Sequence, residues 1–234
     1  MLFVFRSMEK PYIHKIDQIG DITVYLVDGS WIRTNQDEEF TDFGQHYRFK
    51  YIPKMEFWID QKGATKQEIR YFTDHMLVEH RLMAKGMPYA KALEKADIVE
   101  KRERKKDPEL KSNTGKRVDG SSAHISIIKH IPGGVTIWLV NGEIVRDRYR
   151  TDFTEGGHDK VYKFVPPGEV WIEKMVIPAE RPYIILHELH ERVDMAKGMK
   201  YDEAHARASR IEYHCRHHPS DLRKELSKLG YYED

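Results

Sequence analysis

The chain has 234 residues, a third of them charged, with 39 Lys and Arg against 38 Asp and Glu and a single cysteine. Such a length makes one large domain or two of about 100 residues each. The charge balance argues against a dedicated electrostatic nucleic-acid binder, which carries a clear basic excess, and the lone Cys215 excludes an internal disulfide framework and fits a reducing compartment.

From the N-terminus, the apolar run in MLFVFRSMEK is too short for a signal segment or a membrane span, and no later stretch approaches one. The expectation is a soluble cytoplasmic protein with no membrane partner. VYLVDGSWIR, from Val24, reads as strands about Asp28-Gly29, a favoured centre of a tight hairpin turn. KYIPKMEFWID, from Lys50, contributes a further strand. Two helices follow, joined at Gly86, a glycine after a lysine where a left-handed helix cap is expected. EKRERKK is the charged end of the second helix. KKDPELKSNTGKRVDGSS, charged and rich in turn formers, has the composition of a linker.

After the linker the same elements return in the same order. PGGVTIWLVNGEIVR, from Pro132, matches IGDITVYLVDGSWIR, from Ile19, with Asn141-Gly142 at the turn. TDF recurs at Thr151 after Thr41, KFVPPGEVWIE answers KYIPKMEFWID, and DMAKGMKYDEA answers LMAKGMPYAKA with Gly198 at the join. YKFVP and EVWIE alternate like strands, and HHPSDLRKELSKLGYYED ends the chain as a helical tail started by Ser220 or Asp221. The chain is therefore a duplication: a first repeat over 12–106, a linker over 107–123, a second repeat over 124–218 and a tail over 219–234. The expected fold class is α+β, two tandem copies of a small antiparallel β-sheet followed by a helical hairpin.

The second hairpin carries the chemistry. Ile185, Leu189, Val193 and Ala196 form a core stripe by their spacing, while His187 and Glu191, at i and i+4, share a different face. Glu191 lies seven residues before Gly198 and His205 seven after it, so in an antiparallel hairpin both stand about 10 Å from the turn. His187, one turn further, faces the neighbourhood of Glu212. Two imidazoles and a carboxylate make a catalytic zinc set with a position left for water, and His187, Glu191 and His205 are the expected ligands, with Glu212 as a fourth or as a partner behind them. Glu169, beside Trp171 on one strand face, and Asp152 are expected behind the ligands as partners that orient them. His158, in the flexible turn TEGGHDK, joins that group. There is no glycine-rich phosphate loop, no nucleophile elbow and no Cys-x-x-Cys pair.

IILHELHE resembles the active-site helix of zincin metallopeptidases, in which apolar residues precede His-Glu-x-x-His. The resemblance covers about ten residues and implies zinc, with His187 as first ligand and Glu188 as general base. The second ligand position holds Glu191 where that family has histidine. It also implies a peptide or protein substrate. The layout as a whole is similar to uncharacterised proteins of phages and environmental prokaryotes, a likeness that carries no activity and would place the protein in a host cytoplasm if a phage encodes it.

The two copies differ where the site is expected. Both hold His75/His187, Glu79/Glu191, Tyr89/Tyr201, Glu100/Glu212, Asp42/Asp152, Glu56/Glu169 and Trp58/Trp171, but the first has Met76 for Glu188 and Leu93 for His205. The functional expectation is a metal-dependent, peptidase-like hydrolase with one site in the second repeat and a degenerate first copy. The alternative is a non-enzymatic binding or assembly protein in which the histidine–glutamate pairs brace the hairpins and Glu212 pairs with Arg216. Nothing in the sequence sets an oligomeric state.

Overall fold

The computed structural model describes residues 9–107 and 120–232, which fall into two compact units divided near position 108. Most of the N-terminal apolar run (1–8) and of the expected linker (108–119) lies outside the described residues.

The first unit runs β1 (Tyr12–Ile19), β2 (Ile22–Val27), α1 (Gly29–Asn35), β3 (Phe43–Gln45), β4 (Glu56–Asp60), α2 (Lys66–Ala84) and α3 (Tyr89–Lys106). The second repeats it after a short 3-10 turn: β5 (His124–Ile131), β6 (Val135–Val140), α4 (Gly142–Arg148), β7 (Gly156–His158), β8 (Glu169–Glu173), α5 (Arg181–Ala196), α6 (Tyr201–His217) and an added α7 (Pro219–Lys228). The α+β class and the tandem sheet-plus-hairpin plan stand as expected. Among the described residues no helix is long and apolar enough to cross a membrane.

The sheets are mixed, not wholly antiparallel. Their orders are β1-β2-β4-β3 and β5-β6-β8-β7, and the central pairs β2·β4 and β6·β8 are parallel. A parallel neighbour needs a long crossover, and here α1 with β3, or α4 with β7, supplies it.

That crossover begins where a hairpin turn was expected. Asp28-Gly29 and Asn141-Gly142 do not join strands; they start α1 and α4. Asp28 caps its helix by accepting from the Trp31 N–H at 3.1 Å. The glycine serves a buried carboxylate: a Cβ on Gly29 would lie 2.1 Å from Asp60 Oδ2, and one on Gly142 2.2 Å from Glu173 Oε1. One turn on, Arg33 reaches Asp60 at 3.2 Å, and Arg146 grips Glu173 through two bonds of 2.8 and 2.9 Å. YKFVP is likewise not a strand; it lies in the turns between β7 and β8.

Each hairpin turns through a glycine with positive φ, Gly86 at 87° and Gly198 at 94°, as expected of a left-handed cap. Successive β8 residues face opposite ways. Val170 and Ile172 pack on α5 through Ile184, Ile185 and Leu189, whereas Trp171 packs with Val145 and Phe153 on the other face. Ala196, expected in the core stripe, is exposed near the end of α5. The C-terminal tail is part of the second core: α7 places Leu226 in the α5 cluster, with Leu222, Leu229 and Tyr231 packed around it.

Gly142→Ala would drive a methyl into the Glu173 carboxylate and separate it from Arg146. Breaking a buried ion pair in this way costs about 3–5 kcal/mol, so equilibrium unfolding in denaturant should show a loss of that order. An unchanged midpoint would show that the carboxylate does not need the missing side chain.

Candidate metal centre

The frame of the site is a buried polar chain present in both units. In the second, His187 on α5 bonds through Nδ1 to Glu212 Oε2 on α6 at 2.9 Å. Arg216 donates Nε to the other oxygen of Glu212 at 2.9 Å and Nη1 to Glu180 at 2.9 Å, and its guanidinium lies over the Tyr183 ring. In the first, His75, Glu100, Arg104, Glu68 and Tyr71 repeat every link, with His75 Nδ1 to Glu100 at 2.7 Å and Arg104 to Glu68 at 2.7 and 3.0 Å. Glu212 thus takes the place of a partner behind His187, one of its oxygens on the ring it orients and the other accepting from Arg216.

With Nδ1 held by Glu212, His187 directs Nε2 at the two residues expected beside it. His205 Nδ1 is 3.1 Å away and Glu191 Oε2 3.6 Å, and those two are 2.8 Å apart. Zinc bonds of about 2.0–2.1 Å in a tetrahedral arrangement hold neighbouring ligand atoms about 3.3 Å apart. The three atoms therefore have the spacing of one face of a zinc tetrahedron. Side-chain exposure rises outward, from 4 % at Glu191 to 12 % at His187 and 31 % at His205, so the group opens toward solvent at His205. Tyr201 stacks on that ring.

The fully buried His158 reaches Glu191 from the edge strand β7, with Nε2 2.9 Å from Oε1. Glu188, half-buried, sits against Gly156, where a Cβ would come within 3.0 Å of its Oε1. Ligating atoms of His158, Glu188 and Glu191 also lie within 4.8 Å of one another, so Glu191 belongs to two clusters. Electrostatics differ sharply along this helix. Burial alone would raise the Glu191 carboxyl, but hydrogen bonds from His158, His187 and His205 hold it well below the usual range. Burial pushes Glu188 up to about 7, with His158 opposing the rise and the Glu191 charge adding to it. Burial opposes charge on His187, yet Glu191 and Glu212 hold its pKa well above the ordinary value.

Two residues expected behind the ligands are elsewhere. Glu169 shares a strand face with Trp171, as its spacing required, but that face points away from α5. Its Oε2 accepts from Trp171 Nε1 at 2.7 Å and pairs with His124 at 2.8 Å, as Glu56 accepts from Trp58 and Tyr12 in the first unit. Asp152 is bound by Arg150 at 2.6 and 2.9 Å. The TDF match that paired it with Asp42 is out of register. The main chain shows this, because Asp42 and Glu155 hold the equivalent place, each accepting at its carbonyl from β4 or β8 at 2.8 Å.

In that register the counterpart of His158 is Gln45, and that of Gly156 is Phe43. Phe43 stacks on Phe72 and meets the His75 ring edge-on. The four differences Phe43/Gly156, Gln45/His158, Met76/Glu188 and Leu93/His205 thus all concern one location, polar or open in the second unit and more apolar in the first. The glycine pair ahead of His158 was the signal in the sequence for this, hidden by the TDF alignment. No family model, curated protein or solved structure matches the chain.

Two pH effects follow. A protonated His187 must lose its proton to bind a cation, so cation affinity should rise about tenfold per pH unit around neutrality, with one proton released; calorimetry in buffers of different ionisation enthalpy would count it. In the first unit burial opposes charge on His75, and hydrogen bonds with Glu100 and Glu79 overcome it, raising the ring to about 10. Its stabilisation is then full below 6.5 and lost as pH rises toward 10. Urea midpoints should fall across that window, and His75→Gln should flatten the dependence.

Proposed function

We propose that the protein is a metal-dependent hydrolase of peptidase-like chemistry, with zinc as the ion and a single site in the second unit. The observation that carries this is the convergence of His187 Nε2, His205 Nδ1 and Glu191 Oε2 at the spacing of a metal coordination face, with a carboxylate of raised pKa beside it. A bound zinc supplies polarisation of a carbonyl oxygen and a lowered pKa of coordinated water. His187, oriented by Glu212, and Glu191, anchored by His158, hold their ligating atoms ready without rearrangement. Glu188 is the general base: held near 7, its carboxylate accepts a proton at neutral pH and can return it to a leaving amine. A peptide or amide bond is the substrate class to which the His-Glu-x-x-Glu helix points.

The repetition of the His–Glu–Arg–Glu chain in the first unit supports a second reading, a binding or assembly protein in which these groups only brace the hairpins. Against it, the differences between the units gather around the converged atoms, where a purely structural pair has no need of them.

Elemental analysis of the untagged full chain should find about one zinc per chain, lost in His187→Ala and in His205→Ala. Metal retained by both variants would assign it to the exposed His214, His217 and His218 and reject the site. Glu188→Gln should keep its zinc while hydrolysis of a peptide library falls by about 10²-fold or more; full activity in that variant would remove Glu188 as the base.

A further inference from the structure

His158, Glu188 and Glu191 form a second cluster of potential ligands sharing Glu191 with the first, the arrangement of a two-ion centre bridged by a carboxylate. The hydrogen bonding of His158 excludes that arrangement. A neutral imidazole has one nitrogen that donates and one that accepts. The backbone N–H of Lys160 points at His158 Nδ1 from 3.1 Å, which makes Nδ1 the acceptor and leaves the hydrogen on Nε2. Freeing Nε2 would need the hydrogen on Nδ1, where the Lys160 N–H already points, so this ring has no lone pair to offer a cation at Nε2. His187 is wired the opposite way, its Nδ1 committed to Glu212 and its Nε2 directed at the cluster, as metal-binding histidines are.

The first unit offers an internal comparison. Gln45 occupies the place of His158; its Oε1 accepts from the Tyr47 N–H at 2.7 Å and its Nε2 points at Glu79 Oε2 from 3.5 Å. An amide and an imidazole here share one wiring, an acceptor pinned by the backbone two residues on and a donor aimed at the helix glutamate.

We propose that His158 is a positioning residue and not a ligand: pinned by Lys160, it donates Nε2–H to Glu191 Oε1, turns Oε2 toward His187 and His205, and so restricts the unit to one cation. This rests on the metal reading above and specifies its stoichiometry. Glu188, in the same cluster, then remains free to act as a base.

The test uses the full chain with Co²⁺ as probe and has a readout that needs no metal. Long-range ¹H–¹⁵N histidine spectra of the metal-free protein should show His158 as the Nε2–H tautomer. Wild type and His158→Gln should each bind the same single cobalt ion with the same visible spectrum, their Kd values within about threefold, while His158→Ala should bind about 10–100-fold more weakly. An Nδ1–H tautomer, or a second cobalt ion present in wild type and lost in His158→Gln, would overturn the assignment. If wild type binds no cobalt, the metal reading fails, and the tautomer alone decides whether His158 is the donor to Glu191.

Discussion

Everything at the candidate site depends on how two helices are locked in register by buried charge. Arg216 on α6 holds Glu180, at the start of α5, and Glu212 on its own helix, and Glu212 in turn fixes the His187 ring. Removing one member would strand a buried charge, at a cost of about 3–5 kcal/mol, so the chain specifies a single alignment of α5 against α6. Once that alignment is set, His187 Nε2 and Glu191 must face the second helix at the level of His205. The same lock exists in the first unit, where Arg104, Glu68, Glu100 and His75 make the same links and Leu93 stands at the place of His205. The lock belongs to the fold; what is placed on it differs between the units.

The sheet contributes as much as the hairpin. The edge strand β7 brings His158 to Glu191 from outside the helix pair, and Gly156, two residues before, leaves room for the Glu188 carboxylate. Because alternate strand residues face opposite sides, Gly156 and His158 face α5 while Gly157 lies against Tyr162 and Phe153 on the other side. The glycine pair of the second unit therefore serves two layers at once. In the first unit Phe43 fills the equivalent space on the α2 side with an aromatic ring stacked on Phe72.

Two copies in one chain act as each other's control. A polar group required by the architecture should recur, and His75, Glu79 and Glu100 do recur. Groups serving a function confined to one copy should be absent from the other, and those at Glu188 and His205 are. Gln45 in place of His158 is the instructive intermediate, because it keeps the hydrogen-bond pattern while changing the chemical group.

The repeats, the α+β class, the glycine-capped hairpins and the level of His187, Glu191 and His205 were legible in the sequence, because each follows from local periodicity and from counting along a helix. The faces and directions were not. Asp28-Gly29 reads locally as a hairpin turn, and only the carboxylate of Asp60, brought from another strand, explains a glycine at the start of α1. Glu169 was correctly placed beside Trp171, but which face of β8 meets α5 is decided by packing. Asp152 was drawn in by a three-residue match that main-chain hydrogen bonds do not respect. The sequence by itself determined which elements form and at what height along them each reactive group stands, since those depend on near neighbours. The tertiary structure alone decided which groups meet and which partner each imidazole nitrogen faces, since those depend on residues far away in the chain.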